Sequence, residues 1–334
     1  MSNAIHDKIE AAILKRASFI QAPYNTAFRL LNGFQEGIPD IIIDVFATTV
    51  VFHDYTDNDN LVNQILTAIH KFLPWITAGV VKKRRSERVN EQAGRLIFGH
   101  SFATKILENG VQYALRLTMN QDASFYLDTR NLREWLNSEM SGKRVLNTFA
   151  YTGSLGIAAL TGGASEVIQL DLNRQFLSLA MKSAKLNEFP VVDAHYQTAD
   201  FWSRINQYKT SGKMFDCVIL DPPVYSKTSK GIIDVAKNYP RLINKVRPII
   251  VDGGYLITIN NALFQSGKTH QNELEAICKD GYVSIERIIS VPDDCAFQIE
   301  GSHRGATSDP APYNSSTKIT ILRIKRKKSP STVD

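Results

Sequence analysis

Cysteine is scarce in this chain: Cys217, Cys278 and Cys295 are the only three in 334 residues, an odd number with no C-x-x-C spacing. That excludes a disulfide framework and a zinc ribbon, and no metal site is expected. Long apolar runs are also missing. No stretch of about 18 uninterrupted apolar residues occurs, and the N-terminal MSNAIHDKIEAAILKRASF mixes charges through its apolar positions, so neither a membrane span nor a secretory leader is expected. There is no internal repeat and no long low-complexity stretch, which removes solenoids and disordered arrays. Nor does one sign of charge dominate: Lys+Arg 39 against Asp+Glu 33 leaves +6, a mild bias toward polyanions that allows nucleic-acid binding without establishing it. What remains is a folded protein of a reducing, cytoplasmic compartment. It is 43% hydrophobic and long enough for about two domains.

Pattern changes divide the chain. From Thr26 to about Leu117, short strands are expected at Ile41 to Val45, Val50 to His53, Ala78 to Lys83 and Gln112 to Leu117, around one helix near Leu61 to Phe72. That is a small α+β domain, assigned to residues 1–118. From about Asn131, helical patterns alternate with β-branched runs at Val145 to Asn147, Val167 to Asp171, Ala194 to Thr198, Cys217 to Leu220 and Gly254 to Ile259. Such alternation means a parallel sheet covered by helices, assigned to residues 119–334. Two last runs, Tyr282 to Ser290 and Lys318 to Ile324, read as a closing antiparallel pair. They are separated by a Gly/Pro/Ser-rich loop of about 26 residues, Pro292 to Thr317, a length more often functional than not.

The strongest local signal is VLNTFAYTGSLGIAAL, residues 145–160, where an apolar strand runs into a small-residue turn and then a helix. Its glycines, Gly153 and Gly156, let backbone approach a ligand, although a glycine turn alone is weak. The next strand ends in Asp171, 18 residues after Gly153, where a carboxylate can accept hydrogen bonds from both hydroxyls of a ribose. The same residue could serve merely as a helix cap. A third strand places Asp200 and Phe201 at the same edge, an acid for an adenine amino group beside a ring that can stack. A fourth ends abruptly in Asp221-Pro222-Pro223, a stiff turn whose carbonyls point beyond the sheet and can hold a flat nitrogenous acceptor near an electrophile.

In this order, the glycine turn, ribose acid, adenine acid and DPP loop resemble a class I S-adenosylmethionine-dependent methyltransferase. More specifically, the chain resembles the bacterial ribosomal RNA methyltransferase family: AFRLLNGFQEGIPDIIIDVF, FYLDTRNLREWL and NTFAYTGSLG are each similar to segments of that family. The resemblance implies a Rossmann-like class I methyltransferase domain of α/β class, with S-adenosylmethionine lying along Asn147, Phe149, Ala150, Tyr151, Thr152 and Gly153. It further implies that Asp171, with Leu172 beside it, holds the ribose and that Asp200 and Phe201 frame the adenine. Phe125, Asp128 and Arg130 would form a lid over the methionine end, where a guanidinium could pair with the cofactor carboxylate. Asn120-Gln121-Asp122 departs from the basic, glycine-containing pattern that precedes this segment in the family.

Methylation of a pyrimidine at C5 requires a thiolate to add at C6, hence a cysteine at the sheet edge. The fifth strand instead ends in Asn260-Asn261, where the 5-methylcytosine members place a cysteine and the guanine-N7 members carry a similar pair. Cys217 falls inside a strand and Cys278 in a helix, leaving only Cys295, in the long loop, as a displaced nucleophile. A ring nitrogen with a free lone pair needs only alignment, which Asn260 and Asn261 could supply at the base edge while Tyr225 stacks on its face. RNA contact is expected at Lys82, Lys83, Arg84 and Arg85, with further basic groups at Arg88 and Arg323 to Lys328, and at Lys227 and Lys230 beside the DPP loop. The reading is therefore a methyltransferase acting on a base of structured RNA, 23S ribosomal RNA by the resemblance, with guanine N7 favoured. Its rivals are 5-methylcytosine formation, a small-molecule acceptor and a non-catalytic RNA adaptor that binds S-adenosylmethionine.

Overall fold

The computed structural model describes residues 2–56, 58–263, 265–296 and 316–326. The chain forms two compact units, Met1–Leu127 with Pro292–Gln298, and Asp128–Val291 with Ile299–Asp334. The boundary thus lies at Leu127 rather than after residue 118, and the first unit also takes in part of the long loop.

The first unit comprises α1 (Ser2–Lys15), β1 (Ala27–Leu31), β2 (Ile41–Phe46), β3 (Thr49–Asp54), α2 (Asp59–Phe72), β4 (Ala78–Lys83), α3 (Val89–Ala93), β5 (Arg95–Phe98), β6 (Lys105–Glu108) and β7 (Val111–Ala114). Strands β1 to β5 lie in sequence order. Only the β3–β4 pair is parallel, because α2 supplies the crossover that a parallel connection needs. Asn58 caps α2 by accepting from the Leu61 amide, and Val62, Ile65, Ala68 and Ile69 recur at helical spacing to bury one face. That stripe meets Ile9 and Ala12 of α1 and Phe28, Ile43 and Phe52 of the sheet in one apolar core.

The second unit runs α4 (Arg130–Glu139), β8 (Arg144–Thr148), α5 (Ser154–Thr161), β9 (Glu166–Asp171), α6 (Arg174–Leu186), β10 (Tyr196–Thr198), α7 (Phe201–Ser211) and β11 (Phe215–Leu220). It continues through β12 (Tyr225–Thr228), β13 (Gly231–Asp234), α8 (Val235–Val246), β14 (Ile250–Asn260), α9 (Gly267–Cys278), β15 (Val283–Ile289) and β16 (Lys318–Ile324). Seven of these strands form a sheet in the order β10-β9-β8-β11-β14-β16-β15, in which β16 alone runs opposite to the other six. Successive side chains enter opposite layers. Val145, Val167, Cys217 and Ile257 pack with α4 and α5, whereas Leu146, Ile168, Val218 and Leu256 pack with α7 and α8. Burial on both faces is why these strands read as nearly continuous apolar runs. The strand order reverses between β8 and β11, the switch point where open α/β sheets bind ligands beyond their carboxyl ends. The β12–β13 hairpin after the prolines was not expected from the sequence. Among the described residues, no helix is long and apolar enough to cross a membrane.

Candidate functional site

Parallel register brings the strand ends to one edge: Thr148 pairs with Leu170 and Leu220, Asp171 with Thr198, and Leu220 with Thr258. The residues that follow those positions are the ones singled out from the motifs. After β8 the backbone twists sharply, with Phe149 (φ +55°), Tyr151 (φ +50°) and Gly153 (φ +78°) all left-handed. Two non-glycine residues in that region cost on the order of 1–3 kcal/mol each, a strain typical of ligand-holding turns. Such alternation turns successive amides toward a common concavity. Gly153 and Gly156 admit the close packing behind it: a Cβ at Gly153 would lie 2.4 Å from Ala180 Cβ, and one at Gly156 would lie 2.1 Å from Gln169 Nε2. Gln169 Nε2 donates to Gly153 O (3.2 Å) while its Oε1 accepts from Asn147 Nδ2 (2.8 Å). Asn147 is buried, and its Oδ1 faces no donor.

Asp171 accepts from the Tyr151 amide (2.8 Å) and the Asn173 amide (2.8 Å), while burial pushes its carboxyl above the usual range. Each oxygen keeps acceptor capacity, and Leu172 next to it stands 55% exposed. Asp200 caps α7 by accepting from the Ser203 amide (3.0 Å), and its other oxygen accepts from the Thr228 hydroxyl (2.9 Å). Phe201 is buried against Phe149, with ring centroids 4.7 Å apart. Thr228 belongs to the β12–β13 hairpin. Its inner face also buries Ile233 and sets Gly231 against the Trp202 indole. Its outer face shows Tyr225 (61% exposed), Ile232 and Lys227, with Lys230 at the turn.

Asp221 opens the turn after β11. Burial, and then the negative charge of Asp128, push its carboxyl up to about 7. Asp128 accepts from the Thr317 hydroxyl (2.6 Å), and among the described residues its buried Oδ1 has no donor. On the neighbouring strand end, Asn261 also has a buried Oδ1 without a donor among the described residues.

The S-adenosylmethionine-dependent methyltransferase family model matches residues 74–288. The chain belongs to that family. The methyltransferase is 28% identical over 268 residues to ribosomal RNA large subunit methyltransferase I of Aeromonas salmonicida, covering 78% of this chain and 66% of that one. It is 27% identical to the protein of the same name from Vibrio vulnificus, covering 91% and 77%. It spans about two thirds of the length of several such relatives. Its fold matches that of SMU.776, solved as a complex with SAH, at a TM-score of 0.83 and 23% identity over 97% of this chain and 82% of that one.

S-Adenosylmethionine is the cofactor of this family, and the carboxyl edge suits it. The edge offers a carboxylate with spare acceptor capacity at Asp171, an exposed apolar side chain at Leu172, and buried acceptors at Asn147 and Asp128 without donors among the described residues. These are partners for hydroxyls, a flat ring and an amino group.

The structure corrects several expectations for the methyltransferase. Asn260 is fully buried: its amide donates to Gln265 Oε1 (2.7 Å), lies 3.2 Å from His270 Nδ1 and accepts from the Ala262 amide (3.0 Å). It pins a turn and has no face for a substrate, leaving Asn261 as the available amide. Phe125 is buried against Tyr113 in the N-terminal unit, a core role in place of a lid. The KKRR run is largely consumed by the fold. Lys82 is fully buried and donates to Ala93 O (2.5 Å) and Asn120 O (2.9 Å), and burial lowers its ammonium to about 8. Lys83 bridges Asp54 and Asp59, Arg84 donates to Gln121 O, and Arg85 alone leaves its head group well exposed. Cys295 is buried and belongs to the N-terminal unit, and burial pushes the Cys217 and Cys278 thiols up. Arg130 opens α4, and most of the long loop between Pro292 and Thr317, residues 297–315, lies outside the described residues. Sequence reasoning missed Thr228, which has no motif, and the buried polar group around Tyr239 and His270.

Proposed function

We propose that this methyltransferase transfers a methyl group to a ring nitrogen of a base in structured RNA, with large-subunit ribosomal RNA as the substrate class and guanine N7 as the favoured atom. The observation that carries the choice of atom is the carboxyl edge itself. Beside Asp221 it offers the Asn261 amide, while Cys217 lies within β11 and Cys278 ends α9, both with thiols pushed up by burial. Without a thiolate, addition at a pyrimidine C6 has no nucleophile. The names of the relatives from Aeromonas salmonicida and Vibrio vulnificus support RNA as the acceptor class.

When bound, S-adenosylmethionine supplies an electrophilic methyl group on a cationic sulfur. The residues that would hold it are the Phe149–Gly153 turn, Asp171 for the ribose, Leu172 and Phe201 around the adenine, and Asp128 with Asn147 toward the amino-acid end. Purine N7 brings its own lone pair and loses no proton, so the chain's task is to bind, orient and exclude water. Asn261 would read the base edge. Asp221, able to keep a proton near neutral pH, would donate to a base carbonyl such as guanine O6. Tyr225, exposed on the hairpin next to the DPP turn, would stack on the base, and Lys227 and Lys230 would meet the flanking phosphates.

The test is transfer of labelled methyl from S-adenosylmethionine to total RNA of cells lacking the protein, followed by nucleoside analysis. Label in 7-methylguanosine is the expected result. Label in 5-methylcytosine overturns the choice of atom, and no RNA label despite cofactor binding overturns RNA as the acceptor.

A further inference from the structure

Behind the acceptor edge lies a buried polar group that neither the motifs nor the cofactor account for. Tyr239 of α8 is fully buried, and its hydroxyl lies 2.9 Å from Ile259 O and 3.5 Å from Leu220 O. Leu220 is the last residue of β11 and Ile259 the last but one of β14, so these carbonyls stand one residue before Asp221-Pro222-Pro223 and Asn260-Asn261 respectively. The helix bends to deliver the ring: Asn238 leaves helical geometry (φ −133°, ψ 21°) and Pro240 follows, in the middle of α8. His270 of α9 packs edge-on against the Tyr239 ring, with centroids 5.3 Å apart, and its Nδ1 faces Asn260 Nδ2 at 3.2 Å. Burial, then the nearby Lys318, lower His270 to about 4, so the ring is neutral and Nδ1 can accept. Lys318 Nζ closes the group by donating to Ala262 O (2.9 Å) and Ser316 O (2.7 Å).

We propose that Tyr239 is a positioning residue: its hydroxyl clasps the ends of β11 and β14 and so fixes the spacing between the DPP turn and the Asn261 turn. The proposal rests on the reading of those two turns as the acceptor-holding side of the site. The reasoning is geometric. Between β11 and β14 the register ends at Leu220 with Thr258, so no pair of these two strands sets how far their following turns diverge; beyond that point β14 is paired only on its other side, Asn260 with Lys318 of β16. One hydroxyl supplies that link, its single proton donated to Ile259 O at 2.9 Å and shared more weakly with Leu220 O at 3.5 Å. A displacement of about 1 Å at a reacting group can cost on the order of 100-fold in rate. Binding of a cofactor held by other strands is unaffected by such a shift.

The experiment uses the full chain with Tyr239→Phe, which removes only the O–H, and Tyr208→Phe as a control for loss of another buried hydroxyl in the same unit, one bonded to Gln197. Hydrogen exchange without cofactor reads the clasp directly. Faster exchange is expected in peptides covering both 221–226 and 260–266 of Tyr239→Phe and in neither of the control. Exchange rising in one turn only, or in neither, overturns the clasp whatever the acceptor proves to be. On total RNA, kcat is expected to fall about 10-fold or more, while S-adenosylmethionine affinity stays within about twofold of the parent. Unchanged kcat, or an equal loss of cofactor affinity and thermal stability, overturns the positioning role. If the parent itself labels no RNA, that result counts against the RNA reading, and the exchange data still decide the clasp.

Discussion

Asp221 combines two conditions that rarely coexist at a carboxylate: it is enclosed, and the nearby charge is that of another acid, Asp128. Both favour the protonated form, so the folded chain holds a proton near pH 7 that the unfolded chain releases near pH 4. Between those values the folded state binds more protons than the unfolded state. The stability contributed by this group is therefore complete below about pH 4 and is lost as pH rises toward 7. Three units of displacement set a ceiling of about 4 kcal/mol on that loss. In Asp221→Asn the group cannot ionise. Denaturant unfolding from pH 4 to pH 8 is expected to show a downward slope in the parent that the variant lacks, leaving the variant relatively more stable at pH 8. Parallel curves would mean that Asp221 ionises normally. Asp171, by contrast, accepts one amide on each oxygen, from Tyr151 and Asn173, so its charged form is supported even as burial opposes it, and each oxygen can still accept from a hydroxyl. The two acids at one edge are thus suited to different tasks, one to accept from hydroxyls and the other to carry a proton.

Among the elements, the β12–β13 hairpin has two faces with different duties. Its inner face is fixed by Ile233, by Gly231 on Trp202 and by the bond from Thr228 to Asp200, while Tyr225, Lys227 and Ile232 are exposed on the other face. A rigid strand pair carrying an exposed ring and lysines suits a polyanion with stackable bases. Replacing Lys227 and Lys230 together with Ala is expected to weaken RNA binding at low salt and lower the slope of log affinity against log salt by about 1 to 2, with cofactor affinity unchanged. A slope that does not move, measured by titration from 50 to 200 mM salt, would exclude phosphate contact by this pair. The hairpin was invisible in the sequence because YSKT and GIID are too short and mixed for alternation to register, whereas the flanking strands were legible as apolar runs buried on both faces. The same contrast governs the site. Asp171 and the Phe149–Gly153 turn lie beside their own strand ends, so local order reveals them. The meeting of Tyr239, Ile259, His270 and Lys318 is a product of tertiary packing over some 80 residues, and Asn260 looked available only because its partners Gln265 and His270 cannot be read from spacing.

At the scale of the whole chain, the basic excess of +6 is unevenly free. Many basic side chains are held by the fold and are not available to a polyanion: Lys82 by carbonyls, Lys83 by carboxylates, Arg29 by Asp44, and Arg323 by Glu286 and the Tyr255 ring; each ion pair also occupies an acid, so the excess itself is unchanged. The chain path shows a similar economy, because part of the long loop is structural. Pro292–Gln298 belongs to the N-terminal unit, where the Asp294 carboxylate accepts from the Arg29 amide (2.8 Å). The Asn32 side chain donates to Asp294 O (2.8 Å), and that of Gln35 donates to Ala296 O (2.8 Å). The N-terminal unit is consequently complete only when a segment nearly 170 residues further along has joined it, since Leu127 ends its first part and Pro292 begins its second. Removing one buried acceptor while its donor stays in place costs about 1–3 kcal/mol. Asp294→Ala is therefore expected to lower the melting temperature by several degrees, read by calorimetry, and to leave S-adenosylmethionine affinity within about twofold, because the residues that suit the cofactor lie in the other unit. A variant that melts like the parent would show that the Arg29 amide finds another acceptor. One that loses cofactor affinity in proportion to stability would show that folding of the N-terminal unit and cofactor binding are a single cooperative event.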